Sequence, residues 1–144
     1  MLNNLEILLV EDNPDHAELT LRALKDENFP CRIQWLKNGQ EAIEYLFSIQ
    51  AQKPVPLPHF ILLDIKLPKM NGLEVLKKVK EDERLKNVPV IMLTTSDRTE
   101  EIAGCYRLGV NSFIVKPVKF DEFYEKVRSI KQYWTQVNKG PEFI

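Results

Sequence analysis

Short, almost wholly apolar runs, each followed by a segment with apolar residues at helical spacing, constrain this chain more than any other feature. Leu5–Val10 reads Leu-Glu-Ile-Leu-Leu-Val, Phe60–Leu63 reads Phe-Ile-Leu-Leu, and Val88–Leu93 reads Val-Pro-Val-Ile-Met-Leu. A strand with apolar side chains on both faces needs cover on both sides, which a parallel sheet between two helical layers provides. The segments between the runs supply those layers. Asn13 can cap a helix that opens on Pro14, carries Leu19, Ala23 and Leu24, and runs to about Asn28. Ala42, Ile43, Leu46 and Phe47 follow Asn38-Gly39 at helical spacing, so that dipeptide reads as a helix entry rather than a hairpin. Leu73, Val75, Leu76 and Val79 mark a third helix, and Thr99 to Leu108 a fourth, closed by Gly109. Phe120, Phe123, Tyr124, Val127, Ile130 and Trp134 mark a strongly amphipathic last one.

Two further strands complete the pattern, Cys31–Leu36 of alternating type and Ser112–Val115. Five strands alternating with five helices, joined by right-handed crossovers, give an α/β fold: a doubly wound, five-stranded parallel sheet of order 2-1-3-4-5. Pro54, Pro56 and Pro58 read as a stiff spacer before the third strand. The 144 residues fill a single domain. Twenty Lys and Arg against 21 Asp and Glu leave no basic excess for direct nucleic-acid binding. Cys31 and Cys105 stand alone, without partners at ligand spacing, and read as buried thiols rather than a zinc site or a disulfide. The Met-Leu-Asn-Asn start has no signal-peptide character, and no run approaches the ~20 apolar residues of a membrane span. A cytoplasmic protein with no membrane association is expected.

In an open α/β sheet, ligands bind beyond the carboxyl ends of the strands. Glu11 and Asp12 follow the first strand, Asp64 the third, Thr94 and Thr95 the fourth, Lys116 and Pro117 the fifth. The first and third strands are neighbours in the expected order, so three carboxylates converge. Like charges disfavour one another's ionised form unless a cation sits among them, and hard oxygen donors suit Mg2+. The formal sum then closes: Glu11, Asp12 and Asp64 against Mg2+ and Lys116. Asp64 could then attack a phosphoryl group as a carboxylate nucleophile. Taken singly, each piece is common: acidic pairs cap helices, and a Lys-Pro pair often makes a turn. Their joint placement at successive strand ends carries the information.

Four stretches resemble the receiver domain of a two-component response regulator. They are Leu-Leu-Val-Glu11-Asp12-Asn, Leu-Leu-Asp64-Ile-Lys-Leu-Pro68-Lys-Met-Asn-Gly72, Val-Ile-Met-Leu-Thr94-Thr-Ser, and Phe113-Ile-Val-Lys116-Pro117. The resemblance spans about residues 5 to 132 and implies the flavodoxin-like fold already derived. It implies Asp64 as phosphoacceptor, with Mg2+ on Asp12, Asp64, the Lys66 main-chain carbonyl and, through water, Glu11. It also implies Thr94 as switch hydroxyl, Phe113 as switch aromatic, Lys116 on the phosphoryl oxygens, and a cis bond before Pro117. Pro68 and Gly72 would shape the loop after the nucleophile. Glu11 stands where Asp is more frequent, and Phe113 where Tyr is common, so the switch aromatic lacks a hydroxyl. Lys66 and Ser96 occupy positions that tune phosphate lifetime in the family.

The resemblance implies a receiver unit at 1–132, a short extension at 133–144 and no output domain. The function implied is a phospho-aspartate switch that accepts its phosphoryl group from a histidine kinase or phosphorelay and alters protein–protein interaction. Such a switch catalyses only its own phosphorylation and dephosphorylation. The Pro-rich insert, the Leu-Thr-Thr-Ser run and the terminal Tyr-Trp resemble regulators that partner bacterial phytochrome-type kinases. Tyr133, Trp134 and Val137 extend past the stripe the last helix needs for its core, which suggests a homodimer; the competing role for Trp134 is cover for its own sheet. Three other readings compete. A haloacid-dehalogenase-like phosphatase needs an acid where Lys66 stands, and a flavodoxin needs a phosphate loop where Glu-Asp-Asn-Pro-Asp stands. A docking module without phosphate chemistry has no use for the full set of Glu11, Asp12, Asp64, Thr94 and Lys116.

Overall fold

The computed structural model describes residues 5–25, 30–52 and 55–140. Five parallel strands, β1 (Leu5–Val10), β2 (Cys31–Leu36), β3 (Phe60–Leu63), β4 (Val90–Thr94) and β5 (Ser112–Val115), form one sheet of order β2-β1-β3-β4-β5. Helices α1 (Pro14–Leu24), α2 (Gly39–Gln50), α3 (Gly72–Glu81), α4 (Thr99–Arg107) and α5 (Phe120–Gln132) connect or follow the strands. The expected α/β architecture and strand order are those observed.

Strand alternation divides the core into two layers. Leu8, Val10, Ile61, Leu63, Val90 and Met92 face α2, α3 and α4, where Ala42, Leu46, Val75, Leu76 and Cys105 complete one cluster. Ile7, Leu9, Phe60, Leu62, Ile91 and Leu93 face α1 and α5, meeting Ala17, Leu24, Phe123, Val127 and Ile130. The interior strands β3 and β4 are buried at every residue, while β2 alternates between half-buried and exposed positions as an edge strand does.

Three boundaries differ from expectation. The helix expected to reach Asn28 ends at Leu24, because Lys25 turns to extended backbone while its N–H still reaches the Leu21 carbonyl; Asn28 itself lies outside the described residues, as does Pro54. The fourth strand begins at Val90 rather than Val88. Leu85–Asn87 forms a 3-10 turn capped by the Val88 N–H, and Pro89 has no N–H to offer the ladder. Thr94, expected just past the strand, is its last residue. Beyond Gln132 the expected α-helical run loosens into a single π-helical turn, Tyr133–Val137. Cys31 is half-buried, its thiol donating to the Leu24 carbonyl at 3.4 Å, and Cys105 is buried. Among the described residues, no helix is long and apolar enough to cross a membrane.

Candidate functional site at the carboxyl edge of the sheet

Three of the expected residues sit one position past a strand, with the backbone ladder still running beneath them. The Glu11 N–H donates to the Leu36 carbonyl at 3.0 Å, Asp64 to Val10 at 3.2 Å, and Lys116 to Thr94 at 2.7 Å. Their side chains are thereby aimed by the sheet rather than by loops. Asn13 caps α1 through its side-chain oxygen, taking the Asp15 and His16 N–H groups at 2.9 and 3.2 Å. That cap begins the helix immediately after Asp12, which is exposed at the rim.

Glu11 is held from three sides. Its Oε2 accepts the Asn13 N–H at 3.1 Å, its carbonyl accepts the Trp35 indole N–H at 2.9 Å, and its Oε1 accepts from the Lys116 ammonium at 2.5 Å. Burial pushes the Glu11 carboxyl above its usual range, with Asp64 adding to the rise and Lys116 opposing it. Lys116 also donates to Asp64 Oδ2 at 3.2 Å. Only 2% of the Lys116 side chain and 3% of the Glu11 side chain are exposed, against 12% for Asp64. Asp64 is therefore the member of the buried trio that an incoming group can reach.

Glu11, Asp12 and Asp64 each present an oxygen within 4.8 Å of the others. One ammonium offsets one of three carboxylate charges, so the cluster retains the excess that a divalent cation neutralises, and its hard oxygen donors are those Mg2+ prefers. Lys66 is exposed two residues beyond Asp64. The loop it opens is clamped: a Cβ on Gly72 would collide with the Asp64 carbonyl, and one on Gly39 with the Met70 carbonyl. The Gly72 N–H returns to the Ile65 carbonyl at 2.7 Å, and Lys69 takes a left-handed φ of 69° to make the bend.

Thr94 is buried, and its hydroxyl oxygen accepts the Ser96 N–H at 3.4 Å. Phe113 pairs with Met92, while Thr94 pairs with Val115. The two are thus diagonal neighbours on one face of the sheet. Phe113 is half-buried and packed on the α2–α3–α4 cluster. Ser96 ties on to α4 by donating its hydroxyl to Glu101.

His16 was not among the expected site residues. It lies 3.0 Å through Nδ1 from the Lys116 ammonium, and burial followed by that ammonium lowers its pKa. A signal was present: Thr20, Ala23 and Leu24 form the inward stripe of α1, and His16 continues it one turn earlier. Trp35 was missed for a different reason, since its role is a hydrogen bond to a main-chain carbonyl that no spacing reveals.

Residues 7–128 match the model of the response regulator receiver domain. Over 135 residues the chain is 42% identical to the "Probable methanogenesis regulatory protein FilR2" of Methanothrix harundinacea (strain 6Ac), covering 94% of this chain and 86% of that one. Among solved structures, the phosphorylated cyanobacterial phytochrome response regulator RcpA aligns with a TM-score of 0.91 and 34% identity over 97% of this chain and 100% of that one. The Mn2+-bound form of the response regulator Rcp1 aligns with a TM-score of 0.86 and 32% identity, over 95% and 99%. Fold and relatives agree: the chain belongs to the receiver domains of response regulators, the phosphoryl-accepting switches of two-component signalling.

Proposed function

We propose that Asp64 accepts the phosphoryl group from a sensor histidine kinase and that Thr94, Phe113 and Lys116 convert its arrival into a change of protein-binding surface. The observation that carries this is the buried Lys116 ammonium bridging Glu11 and the more accessible Asp64. Glu11, Asp12, Asp64 and the Lys66 main-chain carbonyl would hold Mg2+, which when bound supplies the positive charge that lets an anionic donor approach a carboxylate. An Asp64 oxygen attacks phosphorus, a P–O bond forms, and the P–N bond to the donor histidine breaks. The departing imidazole nitrogen keeps the electron pair and takes a proton. The Lys116 N–H now on Asp64 turns to a phosphoryl oxygen. The Thr94 hydroxyl moves inward to donate to another, and Phe113, its diagonal neighbour, rotates into the space released. Attack of water at phosphorus reverses the modification, with Lys66 and Ser96 beside the path. The protein thus catalyses only its own phosphorylation and dephosphorylation.

Residues 1–132 form the receiver unit and 133–144 an extension of it, working in the cytoplasm without direct contact to nucleic acid or membrane. Similarity to RcpA supports a phytochrome-type kinase as donor. The face of α4, β5 and α5 contacts the downstream protein. Exposed Tyr133 and Val137 at the end of α5 supply a contact between two copies.

A small phosphodonor with Mg2+ should place an acid-labile phosphate on the wild type and none on Asp64→Asn. Equal labelling of that variant, or labelling that survives chelation, contradicts the assignment.

A further inference from the structure

The Lys116 ammonium has three N–H donors and three acceptors within reach: Glu11 Oε1 at 2.5 Å, His16 Nδ1 at 3.0 Å and Asp64 Oδ2 at 3.2 Å. An ammonium cannot accept, so the contact with His16 is attractive only where Nδ1 offers a lone pair and the ring proton sits on Nε2. Two of the three acceptors are themselves anchored. Glu11 is buried and bonded to the Asn13 N–H. The His16 ring stands edge-on to Phe123 of α5, with centroids 6.2 Å apart, and its helix is fixed by the Asn13 cap. Asp64, the third, has the longest bond and is more exposed than Glu11.

We propose that His16 is a positioning residue for phosphoryl transfer to Asp64: its imidazole takes the Lys116 N–H that the two carboxylates leave over. The ammonium is then pinned at two fixed points, Glu11 and His16. Its remaining N–H is free to pass from Asp64 to the phosphoryl oxygen without the head moving away. Without the imidazole, one donor has no protein partner and Glu11 is the one anchored acceptor left beside the more exposed Asp64. The proposal rests on Asp64 being the phosphoacceptor.

A merely space-filling His16 would pack against Phe123 and do nothing more, and two substitutions separate the roles. His16→Leu keeps an apolar group beside Phe123 and removes the acceptor; His16→Asn restores an acceptor near the place of Nδ1. Phosphorylation of the full chain by acetyl phosphate with Mg2+ is followed as acyl-phosphate formation, alongside the 15N signal of the Lys116 ammonium. The Leu variant should phosphorylate roughly tenfold more slowly, the scale of one hydrogen bond to a charged group, with a broadened ammonium signal. The Asn variant should recover most of the rate and the sharp signal. A Leu variant at the wild-type rate overturns the proposal, as does a folded Asn variant with neither rate nor signal restored. A wild type that takes up no phosphate removes the Asp64 assignment, and this proposal with it, which distinguishes the two failures.

Discussion

His16 and His59 are the two histidines of the chain, and both are held toward the neutral form, first of all by burial. His59 accepts the Glu6 N–H through Nδ1 at 3.1 Å, as His16 accepts from Lys116, so protonation removes an acceptor in each case. A folded-state value below the ordinary 6.5 means that the unfolded chain takes protons first as pH falls. Their contribution to stability is complete above 6.5 and is lost as pH drops through the lowered folded-state values. Glu11 acts in the opposite sense: its raised value makes the ionised carboxyl a cost, relieved as pH falls through that value toward 4.5. In metal-free buffer, the histidines should therefore lower the urea midpoint of the wild type between pH 7.5 and 5.5, against the opposite effect of Glu11. A variant carrying both His16→Asn and His59→Asn should show a flatter profile over that interval. A wild type whose midpoint does not fall relative to that of the variant on acidification contradicts the stated protonation of the histidines.

At the scale of elements, the loop between β3 and α3 is the most tightly built connection near the site. Gly72→Ala forces a methyl group into the Asp64 carbonyl and should cost about 1–3 kcal/mol, the range for an overpacked site, together with slower phosphorylation. Chemical denaturation and labelling of the same variant check both effects. The end of α5 behaves differently. Trp134 is half-buried, packs on the α1–α5 cluster and stacks edge-on with Tyr133 at 5.1 Å. It also lines a groove of about 280 Å3 beside Ile91 and Ile114. Much of its surface thus covers its own sheet, so Trp134→Ala should lower stability by about 2 kcal/mol, less than the full loss at a wholly buried aromatic. The exposed Tyr133 and Val137 carry the proposed contact between copies. Sedimentation should show Tyr133→Ala with Val137→Ala dissociating at concentrations where the wild type is paired; a wild type monomeric at high micromolar concentration contradicts the dimer.

The same elements show what a bare sequence reveals. β1, β3 and the sheet order were legible because buried parallel strands leave unbroken apolar runs, and those runs placed Glu11, Asp64 and Lys116 at one edge. The start of β4 was not, because Val88 is as apolar as a strand residue but is spent capping a 3-10 turn, with Pro89 outside the ladder. His16 was obscured because a histidine on the inward stripe of a helix looks like core until the opposing lysine is in view.

For the molecule as a whole, a rigid sheet brings three carboxylates and a lysine to one rim, at an electrostatic cost that the described residues offset only in part. Cation binding should therefore stabilise the fold by mass action, about 2.7 kcal/mol at a hundredfold excess over the dissociation constant. The melting temperature should rise with Mg2+ in the wild type and not in Asp12→Asn, which removes one charge of the cluster without touching the buried pair; an equal rise in both contradicts the proposed ligand set. The central claim is narrower still, that the reacting atom is an Asp64 oxygen. Borohydride reduces an acyl phosphate and leaves the free carboxylates unchanged, so treatment of the phosphorylated protein followed by peptide mass spectrometry locates the modified side chain directly. Homoserine at position 64, with no other acidic side chain reduced, is the predicted result; homoserine at position 12, 2-amino-5-hydroxypentanoic acid at position 11, or an unreduced Asp64 in a fully phosphorylated sample, would contradict it.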